Sequence, residues 1–208
     1  TLRDIWVKYP KNTKLFEEIK RIKSKYSPSL KTSLTSPEID NYFTLQQKGK
    51  TSDALKNLDR LYRKDQNDFY VVNLLGTLNG LEGRYPEAIK YQKISLTLNP
   101  FDTTSYLNLF ISLQKTNEHK LALHILEIGK LIDFNNLKLN KLLANQYFKL
   151  NKIQSSIKIY EFLIKLDKND TDIKVDYLTL LINDDKIEKA LELLDRFEHD
   201  INKKEIFY

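Results

Sequence analysis

The chain has 208 residues, 41% hydrophobic and 30% charged, with only five Gly and five Pro, a balance that supports a folded domain or modest repeat array of long helices and argues against disorder or a sandwich of short strands. Without Cys it forms no disulfide and no thiolate metal site, and no apolar run approaches the ~20 residues of a membrane span. The net charge is +6, and all of the excess lies in residues 1–34, where nine Lys/Arg meet three Asp/Glu; residues 35–208 hold 25 of each sign.

The chain also lacks Met and begins at Thr1 with no visible secretory signal, so it is expected to be a processed protein or a piece of a longer one. Residues 13–26 read as an amphipathic helix. Leu15, Ile19, Ile22 and Tyr26 share one face, with Lys14, Lys20, Arg21, Lys23 and Lys25 around it. Ile5-Trp6-Val7 extends it, and the Ser/Thr-rich stretch 27–36 reads as a linker. Three roles stay open for this basic segment, 1–34. It caps the first repeat near Tyr42 and Phe43, or touches an acidic partner or an anionic membrane surface, or contacts nucleic-acid phosphates. Capping is favoured, because repeat arrays need covered ends and five basic residues are a weak nucleic-acid footprint.

From residue 35 onward the chain repeats every 34 residues. Small residues recur at Ala54, Ala88, Ala122, Ser156 and Ala190, and each precedes a branched apolar residue: Leu55, Ile89, Leu123, Ile157 and Leu191. A small residue lets two helices approach closely. Five residues before each stand Gly49, Gly83, Asn117, Asn151 and Asp185, the residue types that best tolerate a left-handed backbone where a helix ends. Asp68, Asp102, Asn136 and Asp170 form a third column of N-cap residues, and Ser36-Pro37-Glu38 opens the first repeat. The register divides the chain into 35–68, 69–102, 103–136, 137–170 and 171–204, leaving 205–208. Each unit holds two helices, and apolar spacing within them is helical, as at Ile157, Tyr160, Leu163 and Ile164 or Leu191, Leu194 and Phe197.

These residues resemble the tetratricopeptide repeat (TPR) family. Repeat 2 matches best, with Leu75-Gly76 in its first helix, Gly83, Tyr85 and Ala88 at the turn and second helix, and the closing Pro100. Repeat 3 keeps Leu109 and Ala122 but has Phe134 in place of Pro; repeat 4 keeps Tyr147 and has Ser156 for Ala. Repeats 1 and 5 keep little beyond the small residue. The resemblance implies an all-α, right-handed α-solenoid of about five helix–turn–helix repeats, preceded by the N-terminal amphipathic helix. It is specific for fold and unspecific for function.

The resemblance further implies a concave groove lined by first helices, at repeat positions 2, 5, 9, 12 and 13. These give Asn73 and Thr77 in repeat 2, then Leu107, Ile111, Gln114 and Lys115 in repeat 3. Repeat 4 supplies Lys138, Lys141, Asn145, Phe148 and Lys149, and repeat 5 supplies Val175, Thr179 and Ile182. Such a surface suits an extended peptide with an acidic group near repeat 4; the alternative is a merely solvated lysine face. The two-carboxylate clamp of some TPRs is matched by Lys141 and Asn145 but fails at Thr179, so chaperone-tail binding is disfavoured.

Catalytic chemistry is not expected. His119 and His124 are five apart, off one helix face, and neither they nor His199 has acidic partners at metal-ligand spacing. Asp184-Asp185 fits turn chemistry, and no phosphate loop, dinucleotide fingerprint or nucleophile elbow occurs. No cofactor is expected, and nucleic acid is disfavoured. The expected function is a non-enzymatic scaffold or adaptor that binds a partner protein or peptide, in the cytoplasm or periplasm. The alternatives are the substrate-recognition arm of a larger enzyme, since repeat 2 resembles the TPR arms that precede glycosyltransferase domains, or a bacterial envelope assembly factor for secretion or pili. After repeat 5 no polar capping helix is visible, so the last repeat is left open, or more chain follows, or two copies stack end to end.

Overall fold

In the computed structural model the described residues are 37–205 together with Arg21, Ile22 and Ser24, with side chains described as far as Glu198. Positions 21, 22 and 24 are helical. The rest of the expected helix 13–26, its proposed capping role and the linker 27–36 lie outside the described residues.

The described residues form ten α-helices and no strand. They are α1 (Pro37–Gln47), α2 (Thr51–Lys64), α3 (Phe69–Leu81), α4 (Tyr85–Leu98) and α5 (Thr103–Lys115), then α6 (His119–Ile132), α7 (Leu137–Lys149), α8 (Ile153–Leu166), α9 (Thr171–Asn183) and α10 (Ile187–Glu205). From α2 on, corresponding helices start 34 residues apart, so the sequence period is the structural period.

Local chemistry sets both ends of the first helices. The Asp68 carboxylate accepts the backbone N–H groups of Tyr70 and Val71, and Asp102, Asn136 and Asp170 accept those of Ser105, Leu139 and Ile173. These bonds satisfy amides that the helix itself leaves open. At the other end Gly49, Gly83, Asn117, Asn151 and Asp185 all have positive φ, between 56° and 72°. At each turn two crossed backbone bonds close the helix: Gly83 N–H to Gly80 O (3.2 Å) and Arg84 N–H to Asn79 O (2.9 Å) are repeated, for example, by Asp185 to Ile182 and Lys186 to Leu181. This is the Schellman closure, and it requires the left-handed residue that the turn column supplies.

The chain divides into two compact units, Thr1–Asp133 and Phe134–Tyr208. In the first, successive helices α1 to α6 pack on one another, and α3 also packs on α5. Ile39 and Tyr42 of α1, Ala54, Leu55 and Leu58 of α2, and Val71 and Leu75 of α3 share one buried core. At Gly76 α3 and α4 approach closely: a Cβ there would lie 2.9 Å from Gln92 Cγ and 3.3 Å from the Gln92 backbone nitrogen. In the second unit α7 packs on α8, α8 on α9 and α9 on α10. Ser156, in the small-residue column, is fully buried, and its hydroxyl donates to Ala144 O at 2.8 Å.

The loop carbonyl before a first helix is bonded by a side chain four residues into the helix. Tyr106 Oη donates to Pro100 O (3.0 Å), and Asn140 Nδ2 donates to Phe134 O (2.8 Å). The Phe134 ring packs on Phe162 with centroids 4.6 Å apart, so Phe in place of Pro gains an aromatic contact. The column of branched residues beside the small ones is buried at Leu55, Ile89, Leu123 and Ile157 but open at Leu191, which is 57% exposed. Among the described residues no helix follows α10 to cover it.

Candidate functional site

The expected groove residues fall in both units, and the two units use them differently. In the first unit Asn73 and Thr77 of α3 are half-buried and bonded inside the protein. Asn73 Nδ2 donates to Ser105 Oγ (2.9 Å) and Asp102 Oδ2 (3.2 Å). Asp102 Oδ2 also accepts from the Ser105 amide (2.8 Å) and hydroxyl (2.6 Å), and the Ser105 and Ser95 hydroxyls lie 2.8 Å apart. Thr77 Oγ1 donates to Asn73 O and accepts from Asn108 Nδ2 at 3.0 Å. Leu107 is buried, Ile111 is exposed, and Gln114 Oε1 lies 3.2 Å from His119 Nδ1. Asn73 and Thr77 therefore link α3 to α5.

In the second unit the corresponding face is open. Asn145 and Phe148 of α7 meet Asp176, Thr179, Leu180 and Asn183 of α9 around a cleft of about 110 Å³, with Tyr160 of α8 at its base. Tyr160 Oη donates to Asn145 Oδ1 at 2.6 Å and its ring stacks on Tyr177. Burial, then the nearby Asp176 carboxylate, push the Tyr160 phenol well above the ordinary tyrosine range, so it stays a neutral donor. Lys141 Nζ pairs with Asp176 at 3.1 Å, and Thr179 Oγ1 donates to Val175 O. Lys138 and Lys149 are exposed. Phe148, Val175 and Ile182 are large apolar residues exposed at 36%, 59% and 53%.

No family model matches the sequence, and no curated protein matches it. Solved structures do. MamA from Desulfovibrio magneticus RS-1 is 19% identical, covering 78% of this chain and 92% of its own, with a TM-score of 0.68. YrrB, described as a TPR protein with an unusual peptide-binding site, is 17% identical over 88% of this chain and 91% of its own, with a TM-score of 0.65. The chain has the tetratricopeptide-repeat fold. PilF of Pseudomonas aeruginosa has a TM-score of 0.62 at 16% identity, over 78% of this chain and 74% of its own.

Within this TPR fold the sequence reading missed Tyr160, Asp176, Leu180 and Asn183 at the cleft, although Asn183 stands at position 13 of its repeat, one of the positions used. The groove positions drawn from the family leave out position 6 of the repeat, where Asp176 sits. A signal was available: Lys141 and Asp176 are opposite charges 35 residues apart, one period plus one residue. His124 Nδ1 lies 3.7 Å from Glu127 one turn away, and no cluster of three metal-ligating side chains occurs among the described residues.

Proposed function

We propose that the chain is a protein-interaction module whose α7/α9 face receives an extended segment of a partner protein. The observation that carries this reading is the open cleft between α7 and α9, where the Asn183 amide and the Thr179 hydroxyl lie beside exposed Phe148. A side-chain amide hydrogen-bonds a backbone well, and exposed apolar residues next to it supply the contact area. The exposed α7 lysines Lys138 and Lys149 favour an acidic segment. YrrB, which shares the fold, is described as having a peptide-binding site, and that supports a peptide as the ligand class.

Lys141 and Asn145 are poorer probes of binding than their positions suggest, because they also hold Asp176 and Tyr160. The test is site-specific photo-cross-linking in the source cells with benzoylphenylalanine at Phe148, compared with the same group at Lys158 on exposed α8 surface. The expected result is a discrete partner adduct from position 148 alone, lost on Val175→Ser with Ile182→Ser. Equal labelling from both positions, or none from 148, would count against the α7/α9 face.

A further inference from the structure

Tyr106, Asn140 and Lys174 occupy one repeat position, 34 residues apart. The first two carry neutral donors that close on the preceding loop carbonyl. Lys174 does not repeat the bond: its ammonium lies 5.0 Å from the Phe197 ring centroid. Lys174 is only 7% exposed, and no carboxylate stands within ion-pair distance of it among the described residues. Its stem is buried, and its ammonium has a ring face but no carboxylate beside it, which leaves capacity for an anion.

Lys174 lines a cavity of about 560 Å³ between α8, α9 and α10. Two of the cations around it are already held, Lys189 by Glu161 at 3.1 Å and Arg196 by Glu192 at 3.4 Å. Lys165 and Lys168 at the rim, with Lys174 inside, have no such partner among the described residues. The apolar part of the wall is Ile164, Leu193 and Phe197. The cavity is formed by both second helices of the unit, α8 and α10, whereas the α7/α9 cleft is formed mainly by its first helices.

We propose that this cavity is a second binding site, which takes an acidic side chain of a partner protein segment flanked by a large apolar residue. The carboxylate meets Lys174 and the rim lysines, and the apolar residue lies against Ile164, Leu193 and Phe197. A nucleic-acid backbone offers nothing to that apolar wall. A flat membrane surface presents headgroups but no apolar side chain to fit between Ile164, Leu193 and Phe197. An acidic peptide supplies both chemistries at adjacent residues.

The test is fluorescence anisotropy of the full chain with a dye-labelled synthetic peptide pool. The pool alternates Glu with Leu, Phe, Ile or Tyr, and a matched pool carries Gln for Glu. The expected result is saturable binding of the Glu pool, weakened about tenfold or more in the Gln pool and in Lys174→Met, the size of one charge-assisted contact. Lys158→Gln, on exposed α8 surface outside both sites, should leave it unchanged, and binding lost in Phe148→Ala but kept in Lys174→Met would belong to the α7/α9 cleft and overturn this proposal, so failure of the two readings is separable. Circular dichroism checks that Lys174→Met is folded; if it is not, the exposed pair Lys165→Gln with Lys168→Gln carries the same expectation. No saturable binding, equal binding of the Gln pool, or loss in none of these lysine variants overturns the proposal. Vesicles of phosphatidylcholine with phosphatidylserine form the last arm: Lys174-dependent binding to them without peptide binding overturns it in favour of a lipid headgroup.

Discussion

Asn73 and Lys141 are the fifth residues of α3 and α7, yet they lead different lives. Asn73 is surrounded by Ser95, Asp102 and Ser105, so its amide is committed to joining one repeat to the next. Lys141 has a single half-exposed partner, Asp176, and beside that pair a cleft remains open. The comparison teaches that repeat position does not determine role. What stands opposite in the following repeat does, because a side chain whose polar atoms are already bonded inside has little left for a ligand.

The largest test of this contrast lies at the N-caps. Asp102 and Asp170 are equivalent, but Asp102 accepts from the Ser105 amide, the Ser105 hydroxyl and Asn73, whereas Asp170 caps with one bond to Ile173. Asp102→Ala should cost about 3 kcal/mol, from a lost cap plus side-chain bonds to a charged acceptor. Asp170→Ala should cost about 1 kcal/mol. Urea denaturation of the full chain followed by circular dichroism reads both, and equal losses would break the comparison.

Next come the two fifth-position residues themselves. Asn73→Ala removes a half-buried donor from a connected network and should cost about 2 kcal/mol. Lys141→Ala breaks a half-exposed ion pair and should cost below about 1 kcal/mol, less still in high salt. Thermal melts at low and high salt separate them: a salt-sensitive Asn73 variant or a salt-insensitive Lys141 variant would show that the two sites had been confused.

What the sequence disclosed is what local chemistry decides. Gly49, Gly83, Asn117, Asn151 and Asp185 could be read as left-handed turn residues because that backbone restricts residue type whatever packs nearby. Asp68, Asp102, Asn136 and Asp170 could be read as caps because the amide donors they accept from lie two or three residues on. The buried Ala54, Ala88 and Ala122 were visible because close helix approach admits little else. The cleft was less legible. Asn145, Phe148 and Thr179 share one cleft, whereas Asn73 bonds to Ser105 in the next repeat and Leu107 is buried, a difference that repeat position alone does not carry. Lys174 was hidden for a similar reason: in the sequence it is one lysine among many, and only its burial against Phe197 distinguishes it.

The smallest effects come from the turns, which both units share. At Gly83 an added Cβ meets nothing within 4 Å, so Gly83→Ala tests backbone conformation free of any clash. Forcing an L-residue into the left-handed region costs more than the reduced entropy of the unfolded chain returns, a net loss of about 1 kcal/mol. Asn117 and Asp185 already sit at the equivalent position with φ of 63° and 56°. Asn and Asp tolerate that region better than Ala, so Gly83→Asn should lose only about half as much as Gly83→Ala. Asp185→Gly should change stability by less than about 0.5 kcal/mol, because relief of strain and added unfolded-state freedom oppose each other. A thermal shift of Gly83→Asn as large as that of Gly83→Ala would mean that the polar turn residues of the last three repeats are tolerated for a reason outside their own backbone.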